Sequence, residues 1–360
     1  MMNEMSPLRF ALIGCSKVAR KHAVALGRIA EARLVGVCDI HAERAESFGR
    51  EYGVPHFTDK SRLFESVPCD AVIISTPSGD HAARVLDMLQ HRKHIIVEKP
   101  MALRLEDADA VIRACDEAGV KLFVVKQNRY NRPIQAMRKA LDEGRFGKLV
   151  LGSVRVFWCR PQEYYTEAPW RGTWALDGGV LTNQASHHID MLEWFMGEVE
   201  SVSAMCATRL VKIETEDVGV ATLRFKNGAL GVIEATTATR PKDLEGSITI
   251  LGEKGTVQVG GFAMDKLVTW SFAEPRSEDP HLIATHSENP KDFAWNHEQY
   301  LRGVISSIRT GQKALVDGLE GRKSLELINA LYESAETGRE VALRFRPKVC
   351  RLGMKSAGLS

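Results

Sequence analysis

The first 143 residues repeat one unit, a short apolar run followed by an amphipathic stretch with helical periodicity. The runs are 9–14, 33–39, 69–76, 94–99 and 121–127, and the helical stretches follow at about 17–31, 42–52, 79–90, 105–117 and 133–143. Continuous apolar runs of this length are typical of parallel strands covered on both faces. The repeat therefore predicts a doubly wound parallel sheet, whose ligands bind beyond the carboxyl ends of the strands.

The pattern changes near Gly147, and seven runs of alternating polarity follow up to about Trp270. Turn signals such as Asn227-Gly228 separate these runs and predict an antiparallel sheet, interrupted by one helix at about 184–196. Two helices, at about 294–310 and 318–336, come last. We expect an α/β protein with an N-terminal NAD-binding Rossmann domain, 1–127, and a tail, 347–360. Between them we expect a C-terminal α/β domain for substrate binding and oligomerisation, 128–346, with an open, mostly antiparallel sheet and last helices that pack back.

Composition argues against several classes of protein. Among 360 residues, 48 basic and 46 acidic side chains give a net charge of +2, which favours neither nucleic acid nor a membrane surface as partner. No apolar run approaches the roughly 18 residues of a membrane span, and the first ten residues lack the order of a secretory signal. The seven cysteines form no CxxC pair. We therefore expect a cytoplasmic protein without disulfides or a zinc ribbon.

A candidate cofactor site begins where the first strand ends, in Gly14-Cys15-Ser16-Lys17-Val18-Ala19. This is the strand–turn–helix position of the dinucleotide fingerprint G-x-G-x-x-G/A. Gly14 permits the tight turn, and Ala19 is small enough for close packing of the helix on the strand. Ser16 departs from the pattern, although its hydroxyl can still bind a phosphate at the helix N-terminus.

Asp39 closes the second strand, 25 residues after Gly14. A carboxylate there accepts hydrogen bonds from a ribose diol and repels a 2′-phosphate, which favours NAD over NADP. Arg44 lies near enough in the sequence to leave NADP open. The alternative makes Gly14 a plain turn and Asp39 the N-cap of a helix that begins near Ala42.

Two further segments carry groups suited to proton transfer. Glu98-Lys99-Pro100 ends the fourth strand, where a partly buried lysine suits proton transfer or polarisation of an oxygen, unless the segment is a solvated charge pair. In the segment 177–190, Asn183 and His187 are four residues apart and are expected to share a helical face, with Asp190 able to orient the imidazole. His187 is then a candidate general base. A metal site of His187, Asp190 and a third ligand, or a structural histidine, are the alternatives, and we expect no metal.

Aromatic and cationic residues cluster in 157–165 and 170–174 and again in 126–131. Arginine forks match carboxylates and phosphates, and aromatic rings stack on sugars or on uracil. These segments suit an anionic nucleotide sugar. The alternative is an ordinary surface loop and an interdomain hinge.

Together these features resemble the Gfo/Idh/MocA family of NAD(P)-dependent sugar oxidoreductases over about residues 8–346. The matching residues are Gly14, Thr76-Pro77 with His81, Glu98-Lys99-Pro100, Gly178-Gly179, His187 with Ile189 and Asp190, and Tyr332-Glu333-Ser334. The resemblance implies a Rossmann domain, an α/β domain with an open antiparallel sheet, and a homodimer or homotetramer. The implied cofactor residues are Gly14, Ser16, Lys17, Val18, Ala19, Asp39, Ser75, Thr76, Pro77, His81, Glu98, Lys99 and Gln127.

The resemblance also implies that Lys99 and His187 lie beside the nicotinamide and the reacting carbinol. His187 is assigned as general base with Lys99 as electrostatic support, and the reverse assignment stays open. Many members have Asp where this chain has Asn183, which cannot take a proton and is expected to bind a hydroxyl instead.

Two segments, VVKQNRYN and GGVLTNQASHHIDMLEWFMGEVESV, resemble one subgroup more closely, the UDP-N-acetyl-D-glucosaminuronate 3-dehydrogenases of bacterial surface polysaccharide synthesis. This implies oxidation of the sugar C3 hydroxyl by NAD, followed by an aminotransferase that acts on the ketone. The candidate substrate residues are Lys99, Asn128, Arg129, Arg160, Tyr164, Tyr165, Arg171, Asn183 and His187.

Two other functions stay open. One is a dehydrogenase of a free sugar or polyol such as an inositol. The other is a regulator that binds NAD(P) without turnover, and the presence of both Lys99 and His187 speaks against it.

Overall fold

The computed structural model describes residues 6–343 and Leu352. The chain forms two compact units. Among the described residues, the first comprises 6–127 and Asp292–Arg322, and the second comprises Asn128–Lys291, 323–343 and Leu352. The helix at Trp295–Thr310 belongs to the first unit; the sequence interpretation counted it with the second domain among the helices expected to pack back. The predicted limit at 346 and the predicted tail, apart from Leu352, lie outside the described residues.

The strands are β1 Leu8–Ile13, β2 Ala32–Cys38, β3 His56–Phe57, β4 Ala71–Ile74, β5 His94–Val97, β6 Leu122–Val124, β7 Leu149–Phe157, β8 Val199–Ala207, β9 Val218–Phe225, β10 Leu230–Thr236, β11 Glu245–Gly252, β12 Gly255–Gly260, β13 Lys266–Phe272 and β14 Val341–Ala342. The helices are α1 Lys17–Gly27, α2 Ala42–Tyr52, α3 Lys60–Ser66, α4 His81–Met88, α5 Leu105–Ala118, α6 Arg132–Asp142, α7 Gln162–Thr166, α8 Ser186–Met196, α9 Asp279–His286, α10 Trp295–Thr310 and α11 Gly318–Thr337.

The first unit contains a six-stranded sheet in the order β3-β2-β1-β4-β5-β6, and every pair in it is parallel. Its central strands are fully buried, as Leu12, Ile73 and Ile96 illustrate. This confirms the predicted doubly wound sheet. The strand order reverses between β1 and β4, and in this fold that reversal marks the ligand-binding edge. The short elements β3 and α3 were not predicted, because their segment carries no continuous apolar run.

The second unit contains an eight-stranded sheet in the order β13-β12-β11-β7-β10-β9-β8-β14. Its pairs are antiparallel except that between β7 and β10, which confirms the predicted open, mostly antiparallel sheet. Helix α8 packs on one face against β7 and β11. Gly152 of β7 permits this contact, because a Cβ there would lie 2.6 Å from Cγ of Met196 in α8.

Several local features differ from the sequence interpretation. The segment expected to be a loop after β7 contains α7, and α9 was not predicted. The helix expected from about 184 begins instead with a π-helical turn, Val180–Gln184, followed by α8. Every cysteine in the described part of the chain is a free thiol. Among the described residues, no helix combines the length and apolar character that a membrane crossing requires.

Candidate active site

The turn after β1 has a conformation that requires glycine. Gly14 has φ +92°, and a Cβ there would lie 2.8 Å from the carbonyl carbon and oxygen of Ser75. The Ser75 hydroxyl donates to the carbonyl oxygen of Gly14 over 2.6 Å. The ends of β1 and β4 therefore approach closely where the strand order reverses, which leaves backbone rather than side chain exposed to a ligand.

The residues after Gly14 expose the N-terminus of α1. Ser16 is the N-cap, and its hydroxyl accepts a hydrogen bond from the Ala19 amide over 3.3 Å. Lys17 is exposed in the first turn, which contains no acidic residue, while Ala19 is fully buried. Partial positive charge at a helix N-terminus and the Lys17 ammonium both favour a pyrophosphate. Ser16 therefore retains a helix-capping function where the fingerprint has its second glycine, and the turn fits a dinucleotide.

Asp39 follows β2 beside this turn. Its Oδ2 accepts from the Cys15 amide and its Oδ1 from the His41 amide, each over 2.9 Å. The N-cap of α2 is His41, so the alternative of Asp39 as its N-cap is wrong. The carboxylate is instead fixed against the glycine turn. Its neighbour Ile40 is 84 % exposed, and sequence reasoning missed this apolar side chain at the ligand-binding edge.

The ends of β4 and β5 are joined through His81, which is buried in the first turn of α4. Its Nδ1 lies 2.7 Å from the carbonyl oxygen of Pro100 and its Nε2 lies 2.9 Å from that of Thr76. Burial lowers the pKa of His81, and the two carbonyl groups oppose that shift. His81 thus holds the Thr76-Pro77 segment beside the residues that follow Lys99.

Glu98 is a buried anion in the first unit. Its Oε1 lies 2.8 Å from Nε2 of His22, and its Oε2 accepts from the Lys99 amide over 3.2 Å. Burial opposes ionisation, but the hydrogen bond and charge of His22, with His297 and Lys99, outweigh it and lower the pKa of Glu98 to about 2. His22, Glu98 and His297 have potential metal-ligand atoms within 4.8 Å of one another. The contact between His22 and Glu98 holds the strand end that carries the half-buried Lys99.

In the second unit, a glycine turn leads into the segment of Asn183 and His187. Gly178 has φ +84°, and the π-helical turn that follows carries Asn183. The Asn183 amide nitrogen donates to Oδ1 of Asp177. Oδ2 of Asp177 accepts from the Gly172 amide over 2.8 Å. Because Asn183 lies in a π-helical turn and His187 in α8, their four-residue spacing does not by itself give them a common face.

The two adjacent histidines have different environments. His187 is half-buried in the first turn of α8. His188 is fully buried, with its ring edge-on to Trp158 at 5.7 Å, and burial lowers its pKa to about 3. His188 is therefore a neutral core residue. Of the two, only His187 has the exposure that a general base needs.

Asp190 forms a buried ion pair with Arg129. Arg129 Nε lies 2.8 Å from Asp190 Oδ2 and Nη2 lies 2.9 Å from Oδ1, while the guanidinium covers the Trp194 ring at 4.7 Å. Arg129 is only 2 % exposed. The orientation of His187 by Asp190 and the contact of Arg129 with substrate both stay predictions.

The other predicted substrate residues divide into half-buried and buried groups. Tyr165 is buried, with its hydroxyl 3.0 Å from that of Thr237, and burial raises its pKa to about 12. Arg171 is half-buried, donates to the Tyr164 carbonyl oxygen over 2.5 Å and covers the Tyr164 ring at 4.1 Å. Asn128 is buried, in the 3₁₀ turn Gln127–Tyr130 that also contains Gln127.

Arg160 lies in an aromatic group that the sequence did not fully reveal. Its guanidinium is 5.2 Å from the ring centre of Trp158 and 5.9 Å from that of Phe262, and it bonds to Asp243 over 3.1 Å. Trp158 and Phe262 stack at 4.4 Å, and Phe262 is 50 % exposed. Phe262 follows an ordinary strand in the sequence, so only the fold reveals its place beside Arg160.

Two family models match the chain. The one described as "Oxidoreductase family, NAD-binding Rossmann fold" covers residues 8–126. The one described as "Oxidoreductase family, C-terminal alpha/beta domain" covers residues 138–343. The chain therefore belongs to the Gfo/Idh/MocA oxidoreductase family, which confirms the resemblance seen in the sequence.

Curated relatives and solved structures agree with this assignment. The chain is 26 % identical to myo-inositol 2-dehydrogenase of Thermotoga maritima, with 93 % of this chain and 98 % of that protein covered. It is 28 % identical to D-apiose dehydrogenase of Rhizobium rhizogenes, over 94 % of this chain and 98 % of the relative. The WlbA dehydrogenase of Bordetella pertussis, solved with NADH and UDP-GlcNAcA, is 44 % identical, with TM-score 0.90 over 94 % of this chain and 98 % of that one. WlbA of Chromobacterium violaceum, solved with the same two ligands, is 42 % identical, with TM-score 0.88 over 94 % and 96 %.

The family and the glycine turn together identify the class of reaction. The chain is an NAD-dependent dehydrogenase of the sugar oxidoreductase family and acts on a CH–OH group.

Proposed function

We propose that this enzyme oxidises the C3 hydroxyl of a UDP-N-acetyl-hexosaminuronic acid to a ketone and passes the hydride to NAD. The observation that carries the proposal is the 42–44 % identity, over 94 % of this chain, to two dehydrogenases solved with NADH and UDP-GlcNAcA. Identity to the inositol and apiose dehydrogenases named above is lower, at 26–28 %. The product ketone suits an aminotransferase in bacterial surface polysaccharide (LPS or O-antigen) synthesis in the cytoplasm.

The second unit offers groups that suit a nucleotide sugar. Phe262 is an exposed ring for stacking, and Arg160 beside it is a cation for the uronate or the diphosphate. Arg171 is held over the Tyr164 ring, so its guanidinium orientation is fixed before substrate binds. We retain Arg160, Tyr164 and Arg171 as proposed substrate residues. Tyr165 and Arg129 are buried and are proposed to support them.

The proposed chemical roles fall to His187, Lys99 and Asn183. His187, which is half-buried, takes the proton of the C3 hydroxyl, because an imidazole is the side chain that most often serves as a general base. Lys99 stabilises negative charge on the oxygen as that proton leaves. Asn183, oriented by Asp177, binds a neighbouring hydroxyl. NAD supplies the hydride acceptor when bound, over the Gly14 turn and the N-terminus of α1, with Asp39 toward the ribose.

The proposal also includes self-association through the open face of the second sheet. Met205 of β8 lies opposite Val220 of β9, and both side chains are exposed. In the same row, Arg155 of β7 pairs with Glu234 of β10 over 2.7 Å. A mixed apolar and charged face of this kind suits a second copy of the chain. Light scattering should find a dimer or tetramer, and a monomer at micromolar concentration would contradict this part.

The substrate is tested by NADH formation with UDP-N-acetyl-glucosaminuronic acid, beside myo-inositol and glucose. Parallel wells contain 2-oxoglutarate, because the equilibrium for oxidising a secondary alcohol is unfavourable. There NADH passes its hydride to 2-oxoglutarate and returns to NAD, so turnover is measured as 2-hydroxyglutarate. We expect turnover with the nucleotide sugar and none with myo-inositol or glucose. Turnover with a free polyol alone would support the second candidate function, which the inositol dehydrogenase relatives favour. No turnover in any well, with NAD still bound, would favour a non-catalytic regulator.

The roles of Lys99 and His187 are tested by Lys99→Ala and His187→Ala. Each variant should lose at least about 100-fold in kcat while its Kd for NAD stays within about threefold of wild type. His188→Asn tests the neighbouring imidazole in the core and should affect stability more than the pH profile. Wild-type rates in both Lys99→Ala and His187→Ala would contradict the assigned site.

A further inference from the structure

Four consecutive residues ahead of His187 make hydrogen bonds to two residues that are distant in the sequence, Glu216 and Tyr332. The Tyr332 hydroxyl donates to Oε1 of Glu216 over 2.8 Å. It accepts from the Gly179 amide over 3.3 Å and from the Thr182 hydroxyl over 2.9 Å. Glu216 accepts from the Leu181 amide at Oε1 over 2.9 Å, and from the Val180 amide at its backbone carbonyl over 3.0 Å. Residues 179–182 thus each make a hydrogen bond to this pair.

Glu216, Tyr332 and the turn at 179–182 are closely packed. Tyr332, Glu216 and Thr182 are all buried, and a Cβ on Gly179 would lie 2.1 Å from Oε2 of Glu216. The Tyr332 ring also packs edge-on against Trp174 at 5.3 Å. Burial raises the pKa of Tyr332 well above 10, so its hydroxyl keeps the proton that it donates to Glu216. In this packing, loss of either partner must move the turn or leave buried polar groups without hydrogen bonds.

The held segment leads directly into the proposed catalytic residues. Residues Val180–Gln184 form the π-helical turn with Asn183, and α8 starts two residues later with His187 in its first turn. A turn fixed at four consecutive residues determines where the helix after it begins. Displacement of a reacting group by about 1 Å can cost about 100-fold in rate.

We propose that Tyr332 and Glu216 are positioning residues for His187, which they place by fixing the turn from which α8 starts. The inference rests on the proposed function only in taking His187 as the general base. Neither side chain is assigned contact with substrate or cofactor. Their effect on the reaction is therefore expected in kcat and not in NAD binding.

The test compares three variants with a matched control. Tyr332→Phe removes one hydroxyl that three groups share, and Glu216→Leu removes the acceptor for Leu181 and Tyr332. Glu216→Gln keeps an acceptor oxygen at the same place and is the conservative rescue. Tyr300→Phe removes a buried hydroxyl from the first unit and controls for the general effect of that change. Thermal unfolding of each variant checks that it is folded at the assay temperature.

We expect Tyr332→Phe and Glu216→Leu to lower kcat roughly 10- to 100-fold, with KM for NAD within about twofold of wild type. Glu216→Gln and Tyr300→Phe should stay within about threefold of wild type in kcat. A Tyr332→Phe enzyme with wild-type kcat, or with kcat and the KM for NAD altered together, would overturn the inference.

A second measurement does not depend on substrate identity. Hydrogen exchange in peptides that cover residues 179–185 should become faster by at least about tenfold in Tyr332→Phe and stay unchanged in Tyr300→Phe. Unchanged exchange in Tyr332→Phe would overturn the positioning role. If wild type fails to oxidise the nucleotide sugar while exchange responds as expected, the proposed substrate is wrong and the fixed turn stands.

Discussion

Replacing Glu216 with Gln exchanges an ionisable carboxyl for a neutral amide at a residue that is only 3 % exposed. Burial raises the pKa of Glu216 from its ordinary 4.5 to about 7, although the hydrogen bonds from Leu181 and Tyr332 oppose the shift. Between these pH values, the folded chain holds a proton that the unfolded chain has released. The resulting stabilisation is complete below about pH 4.5 and is lost as the pH rises through about 7. The difference corresponds to about 3 kcal/mol at full ionisation.

Urea unfolding of wild type and Glu216→Gln, at about pH 5 and pH 8, measures this effect. Gln cannot ionise, so the stability of the variant relative to wild type should be greater at the higher pH by about 2 to 3 kcal/mol. Glu274→Gln, at an exposed position, is the matched control and should show almost no pH-dependent difference. A difference between Glu216→Gln and wild type that does not change with pH would refute the reasoning, because it would mean that Glu216 ionises alike in both states.

Three other predictions follow from contacts within single units. Arg129→Ala leaves Asp190 buried without its cation and should lower the free energy of unfolding by about 3 to 5 kcal/mol. Arg129→Met combined with Asp190→Leu should recover most of that lost stability. Wild-type stability in Arg129→Ala, measured by urea unfolding, would contradict the buried pair. Asp39→Ala should raise the Kd for NAD roughly 10- to 100-fold more than that for NADP, and an unchanged preference in titrations of both would contradict its ribose role. Gly14→Ala should abolish measurable NAD binding because its Cβ meets Ser75, while Gly27→Ala, with open space around that position, should bind normally. NAD binding by Gly14→Ala at wild-type affinity would show that the turn tolerates a side chain.

The sequence predicted the architecture because the information is local. Apolar runs of strand length alternate with helices in the first third of the chain, and a parallel sheet covered by helices on both faces buries such runs. Near Gly147 the sequence changes to alternating polar and apolar residues. This signal is also local, and it predicted the second sheet. The glycine turn was predicted because its backbone conformation requires glycine at one position, and the spacing of the residues around Gly14 shows that position in the sequence.

The partners of individual side chains could not be predicted, because they are far apart in the sequence. Arg129 was interpreted as a substrate ligand because a cation after a strand end suits one. Its pairing with Asp190, 61 residues away, was not predicted. Glu216 and Tyr332 are 116 residues apart. The polar stretch Thr215-Glu216-Asp217 resembles a solvated loop in the sequence, yet all three side chains are buried. Only the fold shows which of the polar residues are buried in pairs and which remain for a ligand.

The central claim is that hydride leaves C3 of a UDP-N-acetyl-hexosaminuronic acid, and deuterium labelling tests it most directly. The enzyme is incubated with NAD and with UDP-N-acetyl-glucosaminuronic acid labelled with deuterium at C3, and mass spectrometry locates the label. The account predicts one deuterium in the reduced nicotinamide, or in 2-hydroxyglutarate when 2-oxoglutarate reoxidises it, together with slower turnover than unlabelled substrate. Label retained in a turned-over sugar, or transferred only from substrate labelled at C2 or C4, would contradict the assignment of C3 as the reacting carbon.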